Sequence, residues 1–90
     1  MNEITNRFEQ LIESRSWKIA KQELATLEPF QIAEIIGALS KPDRILLFRL
    51  LSRESAKETF KHLSYDEQEE IIEGLAANVD NVIGLLNDLD

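Results

Sequence analysis

Apolar residues recur along this chain with a period of 12. Leucine occupies every twelfth position over most of the chain, and serine directly follows three of these leucines. The leucines are Leu27, Leu39, Leu51, Leu63 and Leu75, and the serines are Ser40, Ser52 and Ser64. A unit this short holds one brief helix and one corner, and such a helix cannot bury its apolar side alone, so the period predicts a stack of short helices. This pattern is typical of a scaffold or regulatory surface rather than of a catalytic pocket.

The positions three and four residues before each leucine are mostly apolar, as on one side of a helix. We therefore expect a helix to end at about each leucine. Capping signals precede these helices: proline follows Glu28, Ser40 precedes Lys-Pro-Asp, and Ser64 with Glu67 forms a capping-box sequence. Ser52 offers a weaker start. No Asn-Gly or Asp-Gly hairpin signal occurs, so the chain is predicted to be all-α.

Two further helices are predicted before the first repeat and one after the last, which gives about seven. Residues 4–12 and 17–27 each have an apolar side, with a break at Arg15-Ser16, and the last helix falls within residues 78–90. Segment 45–51 is apolar at six of its seven positions, which places it at the centre of the stack. Four aromatic residues are predicted to join the core, and the first two are also candidates for exposed docking residues: Trp17, Phe30, Phe48 and Phe60.

The negative charge is concentrated in the last third of the chain. The 90 residues have a formal net charge of −7 and no cysteine, and they suit one domain over residues 1–90. Residues 62–90 hold eight acidic side chains and no lysine or arginine. Such a block attracts cations or a basic partner and repels nucleic acid, so a nucleic-acid partner is not predicted. No apolar run approaches the ~20 residues that span a bilayer.

Four carboxylates of this block have helical spacing. Asp66, Glu69, Glu70 and Glu73 fall at i, i+3, i+4 and i+7, so they share one side of a helix. That side is either ordinary solvated helix surface or a surface that attracts cations. The single histidine, His62, lies at a predicted helix end, where a structural role fits. One histidine without cysteine offers neither a transition-metal site nor a nucleophile–base pair, so an enzyme is not predicted.

Three segments of the chain resemble the N-terminal cytosolic domain of MgtE-type magnesium transporters. They are Leu27-Glu-Pro-Phe-Gln-Ile-Ala-Glu-Ile-Ile, Leu47-Phe-Arg-Leu-Leu-Ser-Arg-Glu-Ser-Ala and His62-Leu-Ser-Tyr-Asp-Glu-Gln-Glu-Glu-Ile-Ile. The earlier Phe8-Glu-Gln-Leu-Ile and Trp17 are similar to the opening helices of that domain. The resemblance covers nearly the whole chain and rests on distributed helix patterning.

The resemblance implies a right-handed superhelical stack with a regulatory role. In this family a pair of CBS modules and a transmembrane pore follow the domain. The chain is therefore expected to be a fragment of a longer transporter, on the cytoplasmic side of the cell membrane. Mg²⁺ held weakly between acidic faces of the soluble domains keeps the pore closed when the ion is plentiful. The implied partners are Mg²⁺ and the CBS and transmembrane domains, and the full-length protein is expected to be a homodimer.

The resemblance also suggests Mg²⁺ ligands. A metal-associated glutamate of the family aligns with Glu58, and Asp88 and Asp90 are weaker candidates by position alone. The plain alternatives are a polar helix end for the two aspartates and, for Glu58, a surface ion pair with Arg53, Lys57 or Lys61. The alternative function is a helical protein-interaction scaffold without ion response, similar to the middle domain of flagellar rotor switch proteins.

Overall fold

A computed structural model of the chain describes residues 3–76, which form six α-helices joined by short corners. The helices are α1 (Glu3–Glu13), α2 (Trp17–Leu24), α3 (Pro29–Ala38), α4 (Lys41–Arg49), α5 (Arg53–Lys61) and α6 (Tyr65–Ala76). No strand occurs within this range, and the all-α prediction is confirmed. The seventh helix predicted in residues 78–90 lies outside the described residues. None of the six helices is both long and apolar enough to cross a membrane.

Three pairs of helices that are two apart in the chain pack together, and so do two pairs of direct neighbours. α3 contacts α4 and α5, α4 contacts α6, and α1 lies against α2, α3 and α4. α4 packs on three helices, as α1 and α3 also do, so segment 45–51 shares the central position predicted for it with these two helices. Within that segment Leu47 and Phe48 are buried, and Ile45, Leu46 and Leu50 are half-buried. The right-handed superhelical stacking of these helices stays a prediction.

One apolar core joins all six helices. Its largest fully buried apolar side chains are Phe8, Ile32, Ile36, Leu47 and Ile71. They come from α1, α3, α4 and α6, so the elements that pack on one another are also those that share the core. Burial of one such side chain contributes about 1.5–3 kcal/mol. Because small domains are only marginally stable, each of these residues matters to the fold.

The repeated leucines mark the corners of the stack rather than the helix ends. α2, α3, α4 and α5 each end before their leucine, so Leu27, Leu39, Leu51 and Leu63 follow a helix, and only Leu75 lies inside one. The expectation that each helix ends at its leucine is therefore corrected. Leu39 and Leu63 are buried in their corners, whereas Leu27 and Leu51 are half-buried. Anchoring an apolar side chain at each corner explains the period, because every unit must turn at the same point.

The predicted break between α1 and α2 is confirmed by its hydrogen bonds. Arg15 adopts φ 58°, the left-handed conformation that commonly ends a helix. The Ser16 amide donates to the Leu11 carbonyl at 2.9 Å, and the Arg15 amide donates to the Ile12 carbonyl at 3.0 Å. This is a Schellman closure, and it lets α2 fold back onto α1.

Serine caps two of the later helices. The Ser64 hydroxyl accepts from the Glu67 amide at 3.2 Å, and a Glu67 carboxylate oxygen accepts from the Ser64 amide at 2.9 Å. The predicted capping box is thus confirmed. The Ser52 hydroxyl accepts from the Ser55 amide at 3.2 Å, so the start judged weaker in the sequence is a true cap. Ser40 precedes α4 without a capping hydrogen bond from its side chain.

The aromatic residues divide between core and surface. Phe48 is buried and meets the half-buried Phe60 edge-on, with 6.3 Å between ring centroids. Trp17 is half-buried against the core. Phe30 is 53% exposed, so its prediction as a core residue is wrong. Phe30 lies in the first turn of α3, ahead of the buried side of that helix, which begins at Ile32.

Candidate functional site: carboxylates of α5 and α6

Glu58 lies on the surface of α5, and its carboxylate is already paired. It accepts a hydrogen bond from Lys61 Nζ at 3.1 Å, and its side chain is 47% exposed. The sequence allowed a surface pair with Lys61, and this contact forms. Glu58 also lines a shallow cavity with Glu54, Arg53 and Lys57. Positive and negative groups are balanced there, so Glu58 lies in a mixed-charge surface rather than in an acidic pocket.

The four carboxylates predicted to share one side of α6 are in two different environments. Asp66, Glu69 and Glu73 are exposed. Glu70 is half-buried and accepts a hydrogen bond from Arg44 Nη1, with its other oxygen 3.8 Å from Lys41 Nζ. Three negative charges thus remain directed to solvent, whereas the fourth is neutralised by cations from α4.

Arg44 was not identified by the sequence as a special residue, yet it joins three helices. Besides its ion pair with Glu70, Nε donates to the Leu39 carbonyl at 3.0 Å and Nη2 donates to the Gly37 carbonyl at 2.9 Å. These carbonyls lie at the C-terminal end of α3, where backbone carbonyls have no hydrogen-bond partner within the helix. One guanidinium on α4 therefore caps α3 and holds α6. The sequence feature that could have identified Arg44 is its position. It lies seven residues before Leu51, where the helical pattern predicts an apolar residue.

Two more residues of the acidic block have structural roles. The Glu67 carboxylate belongs to the capping box, and one of its oxygens lies against α3, 2.7 Å from where a Cβ on Gly37 would be. His62 is exposed at the C-cap of α5, and its amide donates to the Thr59 carbonyl at 3.0 Å. The predicted position of His62 at a helix end is confirmed. Within residues 3–76, no group of three or more His, Cys, Asp or Glu side chains is placed to hold a metal ion.

The helical stack and its acidic surface can be compared with known families. The family model of the MgtE intracellular N domain matches residues 27–90. The chain belongs to this family. No curated protein matches the chain.

The family match covers residues 27–90 and not the first two helices. The match begins at Leu27, so α1 and α2 lie outside it, and the resemblance of Phe8 and Trp17 to the opening helices of an MgtE N domain is untested. Glu58 lies within the match, in the described part of the chain. Asp88 and Asp90 also lie within the match but outside the described residues, so the structure does not test them as ligands. Nor does any observation test a metal role for Glu58.

Proposed function

We propose that this MgtE N domain senses cytosolic Mg²⁺ for an MgtE-type transporter. In this proposal it acts as a regulatory domain rather than as an enzyme. Its acidic surface docks on neighbouring CBS domains when Mg²⁺ is plentiful, which keeps the pore closed, and it separates when Mg²⁺ falls. The observation that carries the proposal is the match of residues 27–90 to the MgtE intracellular N domain. The domain would act on the cytoplasmic side of the membrane, within a homodimeric transporter.

The exposed carboxylates support a docking contact that depends on divalent ions. Mg²⁺ keeps several waters and usually takes only one or two carboxylates directly. Exposed acids such as Glu58 or Asp66 suit it when a second acidic surface faces them. Two carboxylates about 4 Å apart repel by about 1 kcal/mol in water and about 4 kcal/mol at an effective dielectric constant of 20. A divalent ion between them reverses the sign, so its concentration sets how often the domains touch.

The acidic residues differ in how well they suit Mg²⁺ binding. Glu58 is the proposed ligand, either directly or through a bound water, and Mg²⁺ would displace Lys61 from it. Glu69 and Glu73 are exposed and add negative potential to the surface of α6. Glu70 is held by Arg44 and Lys41, so it contributes little to an ion site. Asp88 and Asp90 stay proposed ligands by position.

A Mg²⁺ titration of the 90-residue chain tests local binding. Amide NMR spectra are recorded up to tens of millimolar Mg²⁺ and, as a control, in NaCl of equal ionic strength. We expect saturable Mg²⁺-specific shifts centred on Glu58 and in residues 66–90, with millimolar affinity because the partner surface is missing. Glu58→Gln should remove the shifts on α5. The matched variant Glu9→Gln, an exposed carboxylate on α1 outside the family match, should leave them unchanged.

The alternative function predicts a different result. A protein-interaction scaffold without ion response would show small, uniform shifts that NaCl reproduces, and Glu58→Gln would behave like Glu9→Gln. That outcome removes the support for a local Mg²⁺ site on this domain. Sensing would then have to be tested in a chain that also carries the neighbouring domains.

A further inference from the structure

The solvent side of α6 combines negative charge with exposed apolar side chains. α6 packs on α4, and its buried residues are on the inner side of the helix. The outer side, which we call the acidic face, consists of Tyr65, Asp66, Glu69, Ile72 and Glu73, all of them exposed. Tyr65 and Ile72 are more than half exposed. Because α6 contains no lysine or arginine, a partner that fits this face is basic and partly apolar.

The solvent side of α2 has the opposite charge. The residues that we call the basic face are Arg15, Lys18, Ile19 and Lys21, which are all exposed. At about 100° per residue, Lys18 lies in the middle of the helical part of this face, with Lys21 on one side and Ile19 on the other. The single acid of α2, Glu23, is half-buried and paired with an arginine of α1. It therefore does not balance the three cations of the basic face.

The two faces lie on helices that the stack leaves largely uncovered. Among the helices of residues 3–76, α2 packs extensively on α1 alone and α6 on α4 alone. Three of the four large apolar side chains exposed in this range lie on α2 and α6: Ile19, Tyr65 and Ile72. The terminal units of a stack normally have a polar outer side, which keeps the stack soluble. α2 and α6 depart from this rule, as expected where a second protein surface covers them.

We propose that the basic face of one copy of this chain binds the acidic face of a second copy. Three cations then meet three anions, and Ile19 packs against Ile72 and Tyr65. α2 and α6 do not pack extensively on each other within one molecule, so this pairing joins two molecules. Because each copy offers both faces, the contacts close into a ring or continue as a filament. The inference goes beyond Mg²⁺ sensing and does not rest on it.

The overall charge of the chain opposes this contact, but the local charges favour it. Two copies with a net charge of −7 repel each other. At physiological ionic strength, exposed charges more than about 8 Å apart are largely screened, so the pairs formed across the two faces outweigh the distant charges. One helix on another buries less than the roughly 1,200–2,000 Å² of a stable complex. The association is therefore expected to be weak and to weaken further at high salt.

Amide NMR spectra of the isotope-labelled 90-residue chain, recorded from micromolar to millimolar concentration, test for association. We expect saturable shifts with concentration at Lys18, Ile19, Glu69 and Ile72, together with slower translational diffusion. Raising the NaCl concentration at fixed protein concentration should reverse both changes.

Paired charge reversals show whether the two faces bind each other. Lys18→Glu with Lys21→Glu reverses the basic face, and Glu69→Lys with Glu73→Lys reverses the acidic face. Each pair should weaken association at least tenfold. All four substitutions in one chain exchange the charges of the two faces, so they should restore association to within threefold. Circular dichroism checks that each variant keeps the native helix content.

A matched control separates the acidic face from a general effect of net charge. Glu9→Lys with Glu34→Lys changes the net charge by the same amount as the acidic-face reversal, but both residues are exposed on other helices, α1 and α3. This control lowers the overall repulsion between copies, so association should stay equal or become tighter. The acidic-face reversal should change the affinity in the opposite direction.

A nitroxide label distinguishes a second copy from other occupants. The chain contains no cysteine, so Ala25→Cys, at the exposed end of α2, gives one labelling site. Nitroxide-labelled copies without isotope are mixed with isotope-labelled copies without nitroxide, so that only contacts between molecules broaden the signals. We expect broadening centred on Glu69 and Ile72 that disappears when the nitroxide is reduced.

The remaining outcomes overturn the proposal. They are spectra that do not change with concentration, equal association of the acidic-face and control variants, and no recovery in the variant with all four substitutions. Broadening centred on residues 77–90 would assign the basic face to that segment of the chain. Broadening centred on α2 would show contact between like faces.

Discussion

Replacing Arg44 by methionine is expected to destabilise the domain far more than an ordinary surface substitution would. Arg44 donates to the Gly37 and Leu39 carbonyls at the end of α3 and pairs with Glu70 on α6. Methionine retains much of the aliphatic part of the arginine side chain but has no hydrogen-bond donor. The variant therefore leaves two terminal carbonyls of α3 without these partners and Glu70 with only Lys41 at 3.8 Å.

The expected loss lies between the values for surface and buried ion pairs. The Arg44 side chain is 17% exposed and that of Glu70 25% exposed. Exposed pairs contribute about 0–1 kcal/mol, whereas breaking a buried pair costs about 3–5 kcal/mol because a charge is left unpaired. Hydrogen bonds to charged groups add about 1.5–3 kcal/mol each when fully protected. With discount for partial exposure, we expect Arg44→Met to lower the free energy of unfolding by about 2–3 kcal/mol.

Urea unfolding measures this loss, with far-UV circular dichroism and the fluorescence of Trp17, the single tryptophan, as two probes. Coincident transitions and an unchanged m-value would establish a two-state comparison. In a thermal scan, the same loss lowers Tm by roughly 10–20 °C. Adding Glu70→Gln to Arg44→Met should recover part of the loss, because the unpaired charge is removed.

The exposed ion pair between Arg7 and Glu23 gives the matched control. Its closest contact is 2.5 Å, and the two side chains are 52% and 35% exposed. Arg7→Met removes the same side chain from a pair that caps no helix, so its effect should be clearly smaller. If Arg44→Met destabilises the domain no more than Arg7→Met, the assignment of Arg44 as the residue that joins α3, α4 and α6 is wrong.

Three further predictions concern packing, capping and pH. Gly74→Ala should destabilise by about 1–3 kcal/mol in urea unfolding, because a Cβ would lie 2.3 Å from Ile45 Cδ1, although alanine favours helix by about 1 kcal/mol. Ser52→Ala should cost about 1 kcal/mol in the same measurement, because it removes the cap of α5. The hydrogen bond from Arg7 lowers the pKa of Glu23, so stability from this pair is full above the unfolded-state pKa of about 4.3. It is lost as pH falls through the lower folded pKa, and a carboxyl NMR titration of Glu23 with and without Arg7→Gln measures the shift.

Matched variants make the first two predictions specific. Gly37→Ala also gains helix propensity, and its Cβ would lie 2.7 Å from a single carboxylate oxygen of Glu67, a milder clash than the 2.3 Å contact with Ile45, so it should cost less than Gly74→Ala. Ser40→Ala should cost less than Ser52→Ala, since the Ser40 side chain makes no capping hydrogen bond. A reversed order in either pair would contradict the packing or capping described for these helices.

The helical architecture was predictable because its causes are local. Stripes of apolar residues, a proline after Glu28 and the capping sequence at Ser64 each act within one turn of helix, so the sequence alone locates them. The 12-residue period predicts a series of short helices, but it does not show that the leucines lie in the corners rather than at the helix ends. A corner residue and the last residue of a helix lie on the same apolar side, so spacing does not separate them.

The roles of individual charges were less predictable because they depend on contacts between distant helices. Spacing placed Glu70 beside Glu69 and Glu73 on α6, but only the packing of α4 on α6 shows that Arg44 neutralises it. The prediction of Phe30 as a core residue was wrong for a related reason, since the sequence does not show how far the neighbouring helices extend over the first turn of α3.

Transport by an MgtE-type protein with this chain as its N domain would test the Mg²⁺-sensing proposal most directly. The measurement is the cytosolic Mg²⁺ concentration that half-closes the pore in proteoliposomes, for the unchanged protein, Glu58→Gln and Glu9→Gln. If the acidic surface docks through Mg²⁺, Glu58→Gln raises that concentration at least threefold, and Glu9→Gln leaves it unchanged. An equal closing concentration for all three proteins would contradict the proposed role of Glu58, and insensitivity of the unchanged protein to Mg²⁺ would contradict sensing itself.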